Sequence, residues 1–216
     1  MADKFTNDAG SAVVFGLIQT IQDNTKYLSE VDGAIGDGDH GVNMNKGFTM
    51  CQKRLENTKV TLSSGLNTLG KILVMEIGGS MGPLYGTIFI EMSKACKDKA
   101  EIDKTVYGNV FTAALTGLQA LVQAKVGDKT LMDTLIPAVE AYNAALAQNK
   151  SFEECLSALK TAAENGKNST KDMVAKIGRA SRLGERSRGV LDAGATSCNL
   201  ILQSMADTAL LLLKKS

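Results

Sequence analysis

Asp32-Gly-Ala-Ile-Gly-Asp37-Gly-Asp39-His40-Gly41-Val42-Asn43 packs three carboxylates, the only histidine of the chain and four glycines into its first ten residues. Carboxylates this dense repel one another unless a positive charge sits among them. Mg²⁺ takes oxygen ligands, keeps several waters and shares its shell with phosphates. Glycines let the backbone turn sharply and approach a ligand. The stretch reads as a Mg²⁺–phosphate loop, with an Asx-type turn carrying solvated acids as the alternative. An EF-hand loop is excluded. Counted from Asp32, its sixth position is Asp37 where glycine is needed, and its twelfth is Asn43 where a bidentate glutamate is needed.

Outward from this loop, apolar residues recur with helical spacing. Val14, Leu17, Ile18 and Ile21 fall at i, i+3, i+4 and i+7, as do Phe111, Ala114, Leu115 and Leu118. Further stripes are Leu131–Leu135–Ala138–Tyr142, Phe152–Leu156–Leu159–Ala163 and Ile201–Met205–Thr208–Leu212, and Ser151 with Glu154 forms a capping box. Helices are predicted over 8–29, 41–57, 62–77, 83–99, 103–124, 129–148, 151–165, 168–177 and 194–213, with no sheet. Four breaks between them are rich in glycine and charge: Gly33–Gly41, Gly78–Pro83, Gly127–Thr130 and Gly178–Ser197. A plain bundle turn needs one glycine or asparagine. If the helices run up and down, the breaks after the first, third and fifth share one end, which predicts a ligand site there.

Composition narrows the classes. The 216 residues, 44% of them apolar, suffice for a real core. A net charge of +1, 5% aromatics and no Trp leave no electrostatic or stacking footprint for nucleic acid. Two prolines favour helices. Cys51, Cys96, Cys155 and Cys198 form no CxxC pair and read as small buried hydrophobes in a reducing compartment. Met1-Ala-Asp-Lys-Phe-Thr lacks the layout of a signal peptide. Asn199–Leu213, interrupted by Gln203, Ser204, Asp207 and Thr208, is read as too short and too polar for a membrane span. A cytoplasmic protein is expected.

Gly78–Pro83 places small residues before a helix, where free N–H groups and the dipole bind phosphate. A tight helix–helix turn is the alternative. No GxxxxGK[ST] and no GxGxxG after a strand occurs. Thr130 either meets a ligand or caps its helix, and Lys129 serves phosphate or solvent. Arg179, Arg182, Arg186 and Arg188 suit phosphate neutralisation or an acidic partner, with at least two expected to be solvated. His40 is the only candidate phosphohistidine, and a hydrogen bond to phosphate is the favoured role.

The blocks IGDGDHGVNMNKGF, GGSMGPLYGT, GDKTLMD and GRASRLGERSRGVLDAGATS together resemble the ADP-binding L subunit of bacterial dihydroxyacetone kinase. The resemblance implies an all-α antiparallel eight-helix barrel with the nucleotide at one end, and residues 1–216 as one nucleotide-binding domain. It implies that Asp32, Asp37 and Asp39 hold two Mg²⁺ ions bridging the phosphates of ADP or ATP. His40, Gly41, Val42 and Asn43 would line the phosphates, with Ser80 and Met81 at the glycine loop. Thr130, Leu131 and Arg179 would surround the nucleotide, and Asp192, Ala193 and Gly194 would cover it. The chain departs from the pattern at three places. The serine expected at Met81 stands at Ser80, Val122 replaces a glycine, and Ala193 replaces a proline. The implied partners are a K subunit carrying dihydroxyacetone and a phosphocarrier M subunit that recharges ADP in place. An ATP-dependent kinase for a short ketose or tetrose and a non-catalytic ADP-binding homologue are the alternatives, and a homodimer stays open. No nucleophile is expected on this chain.

Overall fold

The computed structural model describes residues 2–215; Met1, where the N-terminal reading began, and Ser216 lie outside them. Among the described residues the regular structure is almost wholly helical. The helices are α1 (Ser11–Asp23), α2 (Thr25–Gly33), α3 (His40–Leu55), α4 (Leu62–Glu76), α5 (Met81–Cys96), α6 (Lys104–Leu121), α7 (Met132–Ala147), α8 (Phe152–Ser169) and α9 (Ala193–Lys215). Short 3-10 segments cover Thr170–Asp172 and Arg179–Ser187.

The predicted stripes are the core. Val13, Val14, Leu17, Ile18 and Ile21 of α1 are buried with Leu62, Leu66, Leu69 and Leu73 of α4 and Met205, Ala206 and Ala209 of α9 in one continuous cluster. Consecutive helices from α3 to α9 pack on one another, and α9 returns against α1, which also packs on α3. Ser151 caps α8 as predicted: its hydroxyl accepts the Glu154 N–H at 3.2 Å, and the Glu154 carboxylate accepts the Ser151 N–H at 2.8 Å. Thr61 and Ser64 make a second capping box on α4. Such caps contribute about 1 kcal/mol each.

Some expectations are corrected. The helix predicted over 8–29 breaks at Asn24, whose side chain donates to the Thr20 carbonyl at 2.8 Å while the Thr25 hydroxyl donates to that of Gln22 at the same distance. Local side chains have taken over the backbone's partners. No α-helix covers 168–177: α8 runs on to Ser169 and unwinds after one 3-10 turn, in which the Thr170 carbonyl accepts the Met173 N–H at 3.2 Å as well as Lys129 Nζ, and the Met173 carbonyl accepts from Lys129 Nζ in turn. A small antiparallel pair was not anticipated. Lys4–Thr6 (β1) lies on Glu101–Asp103 (β2), with Phe5 opposite Ile102 and both turned into the core.

The C-terminal helix is longer than expected. By length and composition its 23 residues could cross a membrane, so shortness is no objection. Its apolar side chains are otherwise engaged: Ile201, Leu202, Met205, Ala206, Ala209 and Leu213 are buried in the core, and the helix packs on α1 and α8. All four cysteines are buried and unpaired. Burial pushes the Cys51 and Cys96 thiols up to about 12, which leaves them inert as nucleophiles.

Candidate nucleotide and metal site

Helices α2, α4 and α6 end, and α3, α5, α7 and α9 begin, around one cavity of about 700 Å³. The breaks at 33–41, 78–83 and 127–130 therefore meet at one end of the fold, as the up-and-down alternation predicted, and the 178–197 break, which that alternation did not place, joins them there. Asp32, Asp37, Asp39, His40 and Asn43 line this cavity, as do Ser80, Met81, Thr130, Leu131, Arg179, Asp192, Ala193 and Gly194. Of the predicted site residues, Gly41 and Val42 alone are outside its lining. Val42 points to solvent, and Gly41 is buried under α2, where a Cβ would stand 2.0 Å from the Thr25 carbonyl oxygen.

The carboxylates converge. One oxygen from each of Asp32, Asp37 and Asp39 lies within 4.8 Å of the others. The turn that gathers them needs Gly38, whose φ of +77° suits glycine. Asp32 also accepts the His40 N–H at 3.4 Å, which ties the acidic turn to the start of α3. An all-oxygen, triply anionic donor set open to solvent fits a hard divalent cation. Across this cluster, the Arg179 guanidinium forms an ion pair with Asp37.

Beside the acids stand two bare helix starts. Neither Asp39 at α3 nor Ser80 at α5 makes a side-chain cap hydrogen bond. Their first-turn N–H groups and positive dipole ends suit an anion. Pro83 sits in the first turn of α5, where its missing N–H costs nothing. Leu84, Val122, Leu131 and Ile177 supply an apolar portion of the wall. Cation donors, anion donors and an apolar wall thus share one cavity.

His40 is held from behind. Its Nε2 is 2.8 Å from the Ser197 hydroxyl, which is 2.6 Å from the Tyr85 hydroxyl. Burial pushes the imidazole down to about 4, with Asp32 acting in the opposite sense. The phenol of Tyr85 is pushed up by burial and stays protonated. Burial also raises the Asp192 carboxyl to about 6, against the Ala195 N–H and Lys129, which lower it.

Lys129 serves neither phosphate nor solvent. It is 1% exposed, and its Nζ donates to the carbonyls of Thr170 and Val190 at 2.6 Å and of Met173 at 3.3 Å. It fastens both ends of the 170–190 segment that passes over the cavity. Thr130 helps start α7, its hydroxyl accepting the Met132 N–H at 3.2 Å. Asp133, not singled out from sequence, accepts from Gly127 N at 2.5 Å and Thr130 N at 2.7 Å and shapes that whole loop. Its position three residues after Thr130 was the available signal. Ser197 and Tyr85 had none, since only the fold brings them to His40. Of the arginines, Arg182 and Arg186 are exposed, and Arg188 pairs with Glu185.

These features define an all-helical fold with an acid-lined cavity at one end, and comparison with known proteins places it. The chain belongs to the DAK2 domain family, which matches residues 34–207. It is 38% identical over 191 residues to the ADP-binding subunit DhaL of PEP-dependent dihydroxyacetone kinase 1 from Listeria innocua, covering 88% of this chain and 90% of that one. The corresponding Escherichia coli subunit is 37% identical over 183 residues, covering 84% and 87%. The crystal structure of the dihydroxyacetone kinase from C. freundii in complex with AMP-PNP and Mg²⁺ shares the fold. Its TM-score is 0.67 at 21% identity, covering 96% of this chain and 35% of that one.

Proposed function

We propose that this chain is the nucleotide-bearing subunit of a dihydroxyacetone kinase, a single helical domain that holds ADP or ATP with Mg²⁺ and presents the terminal phosphate to a sugar on a partner. The observation that carries the reading is the meeting of three carboxylates with the bare starts of α3 and α5 in one cavity. Names of relatives at 37–38% identity support it.

Bound Mg²⁺ would neutralise charge on the nucleotide phosphates as the phosphoryl group leaves. Asp32, Asp37 and Asp39 would hold two such ions. The N–H groups of Gly41 and Val42 in α3, and of Ser80 and Met81 at α5, would donate to phosphate oxygens, with the side chains of His40 and Asn43 lining the phosphates beside them. Thus Gly41 and Val42 contribute backbone rather than side chain. Thr130 and Leu131 would flank the nucleotide. Arg179 would turn from Asp37 to the phosphates, and Asp192, Ala193 and Gly194 would close over them. No side chain here stands ready as a nucleophile, so catalysis rests on positioning and charge.

The acceptor, dihydroxyacetone, would sit on a separate K subunit, and a phosphocarrier M subunit would recharge ADP without release. Docking of such partners is supported by Val42, Met75, Leu121, Val126 and Ile177, exposed apolar side chains on the helix ends and connecting segments at this end of the fold, with Ile177 in the cavity wall. A cytoplasmic setting goes with this reading. The test is mass spectrometry of nucleotide released from the denatured protein, followed by exchange against labelled ATP in the native state. Retained ADP that exchanges slowly supports a coenzyme recharged in place. Rapid exchange points to an ordinary ATP-using kinase, and absence of nucleotide binding with Mg²⁺ present contradicts the proposal.

A further inference from the structure

His40 is the only histidine of the chain, and two hydroxyl groups stand behind it. A neutral imidazole carries one proton, on Nδ1 or on Nε2, and its neighbours decide which. Three protons serve this cluster: one each from the Tyr85 phenol, the Ser197 hydroxyl and the ring.

The distances order them. Tyr85 OH lies 2.6 Å from Ser197 Oγ and 3.0 Å from the Gly194 carbonyl oxygen. Ser197 Oγ lies 2.8 Å from His40 Nε2, but 3.0 Å and 3.2 Å from the Ala193 and Gly194 carbonyl oxygens. Both carbonyls already serve the hydrogen-bond ladder of α9. The shorter contact decides: Tyr85 donates to Ser197 across 2.6 Å rather than to the Gly194 carbonyl at 3.0 Å. Ser197 then has its one proton for the closest remaining acceptor, the bare imidazole nitrogen. The ring's own proton is left on Nδ1. No hydrogen bond engages Nδ1 among the described residues, and the ring lines the cavity. An edge contact with Tyr85, centroids 6.5 Å apart, further limits ring rotation.

We propose that Tyr85 and Ser197 are positioning residues: their relay, Tyr85 O–H to Ser197 O–H to His40 Nε2, fixes the His40 tautomer with its proton on Nδ1, where it donates to an anion in the cavity. The tautomer follows from the cluster itself. The anion's being a nucleotide phosphate rests on the function proposed above. In this arrangement His40 donates to phosphate without forming a bond to it.

A lone histidine makes the test unambiguous. Long-range ¹H–¹⁵N correlation spectra of the uniformly labelled full chain are recorded at pH 8 without metal, where an ordinary imidazole is already neutral. The proton is expected on Nδ1 in the native chain. In Ser197→Ala or Tyr85→Phe it moves to Nε2 or divides between the nitrogens, while circular dichroism shows the helices intact. A proton on Nε2 in the native chain, or one that stays on Nδ1 in both variants, overturns the proposal. MgADP affinity is measured in parallel. About a tenfold weakening in Ser197→Ala, the scale of one hydrogen bond, supports the donor role. Unchanged affinity overturns that role. A native chain with its proton on Nδ1 and no ADP binding contradicts the function proposed above and leaves the relay standing.

Discussion

His40 Nε2 and the Ser197 hydroxyl stand 2.8 Å apart across 157 residues of sequence. One belongs to the first turn of α3, the other to the first turns of α9. Their contact fixes the acidic loop against the last helix, so the cavity wall is built from both ends of the chain. The same pair places the histidine in a partly buried, water-poor corner, and that has a consequence for stability.

His40 and Asp192 titrate in opposite senses. Unfolded His40 takes its proton near its ordinary value of 6.5, whereas burial holds off the folded residue until about 4. Stability from His40 is therefore lost as pH falls through that window. Asp192 is raised from 3.8 to about 6, so its contribution is lost as pH rises from 4 to 6. The two offset each other. Asp192→Asn removes one side of the balance. Urea unfolding in EDTA should show the variant losing about 2 kcal/mol more than the native chain between pH 7 and pH 4.5. Parallel pH profiles for the two proteins would refute this.

Lys129→Met should loosen the cover of the cavity. It leaves the Thr170, Met173 and Val190 carbonyls without their shared donor. The expected cost is about 2–4 kcal/mol in urea unfolding. Amide exchange should rise across 170–191 and stay unchanged in α1. A uniform rise along the chain would show that Lys129 stabilises the fold at large and is no clamp on this segment.

Arg179→Ala should tighten the binding of Mg²⁺ alone, because Arg179 competes with the cation for Asp37. The same change should weaken ADP in the presence of Mg²⁺ several-fold, as a phosphate partner is lost. Calorimetry with MgCl₂ alone, then with ADP added, separates the two effects. Weaker cation binding in the variant would mean that Arg179 helps to build the metal site.

Gly41→Ala should be severe. The added Cβ would meet the Thr25 carbonyl oxygen at 2.0 Å and the Ser29 hydroxyl at 2.6 Å, so α3 must move off α2. A loss of about 3 kcal/mol or more is expected in urea unfolding. Native-like stability would mean that the α2–α3 contact is easily displaced.

The site was legible where its chemistry is written in local runs. Asp32, Asp37 and Asp39 announce themselves by density, and the Gly78–Pro83 loop by its glycines. Helical stripes such as Val14–Ile21 placed the core, because a 3.6-residue period is a local property. What escaped depends on partners distant in sequence. Nothing near Lys129 says that its ammonium will be wrapped by carbonyls from 170, 173 and 190. Without that knowledge 168–177 reads as one more helix. The break at Asn24 turned on side-chain hydrogen bonds that compete narrowly with the helix ladder. The β1–β2 pair is three residues per strand, too short to show an alternation.

The central claim is that the Asp32–Asp37–Asp39 cluster holds the cation through which nucleotide binds. Its most direct test is calorimetric titration of ADP into the full chain, with Mg²⁺ and with EDTA, for the native protein and for Asp32→Ala. The account predicts saturable binding that requires Mg²⁺ and is abolished by Asp32→Ala. Tight ADP binding retained in EDTA, or retained in the variant, would contradict it.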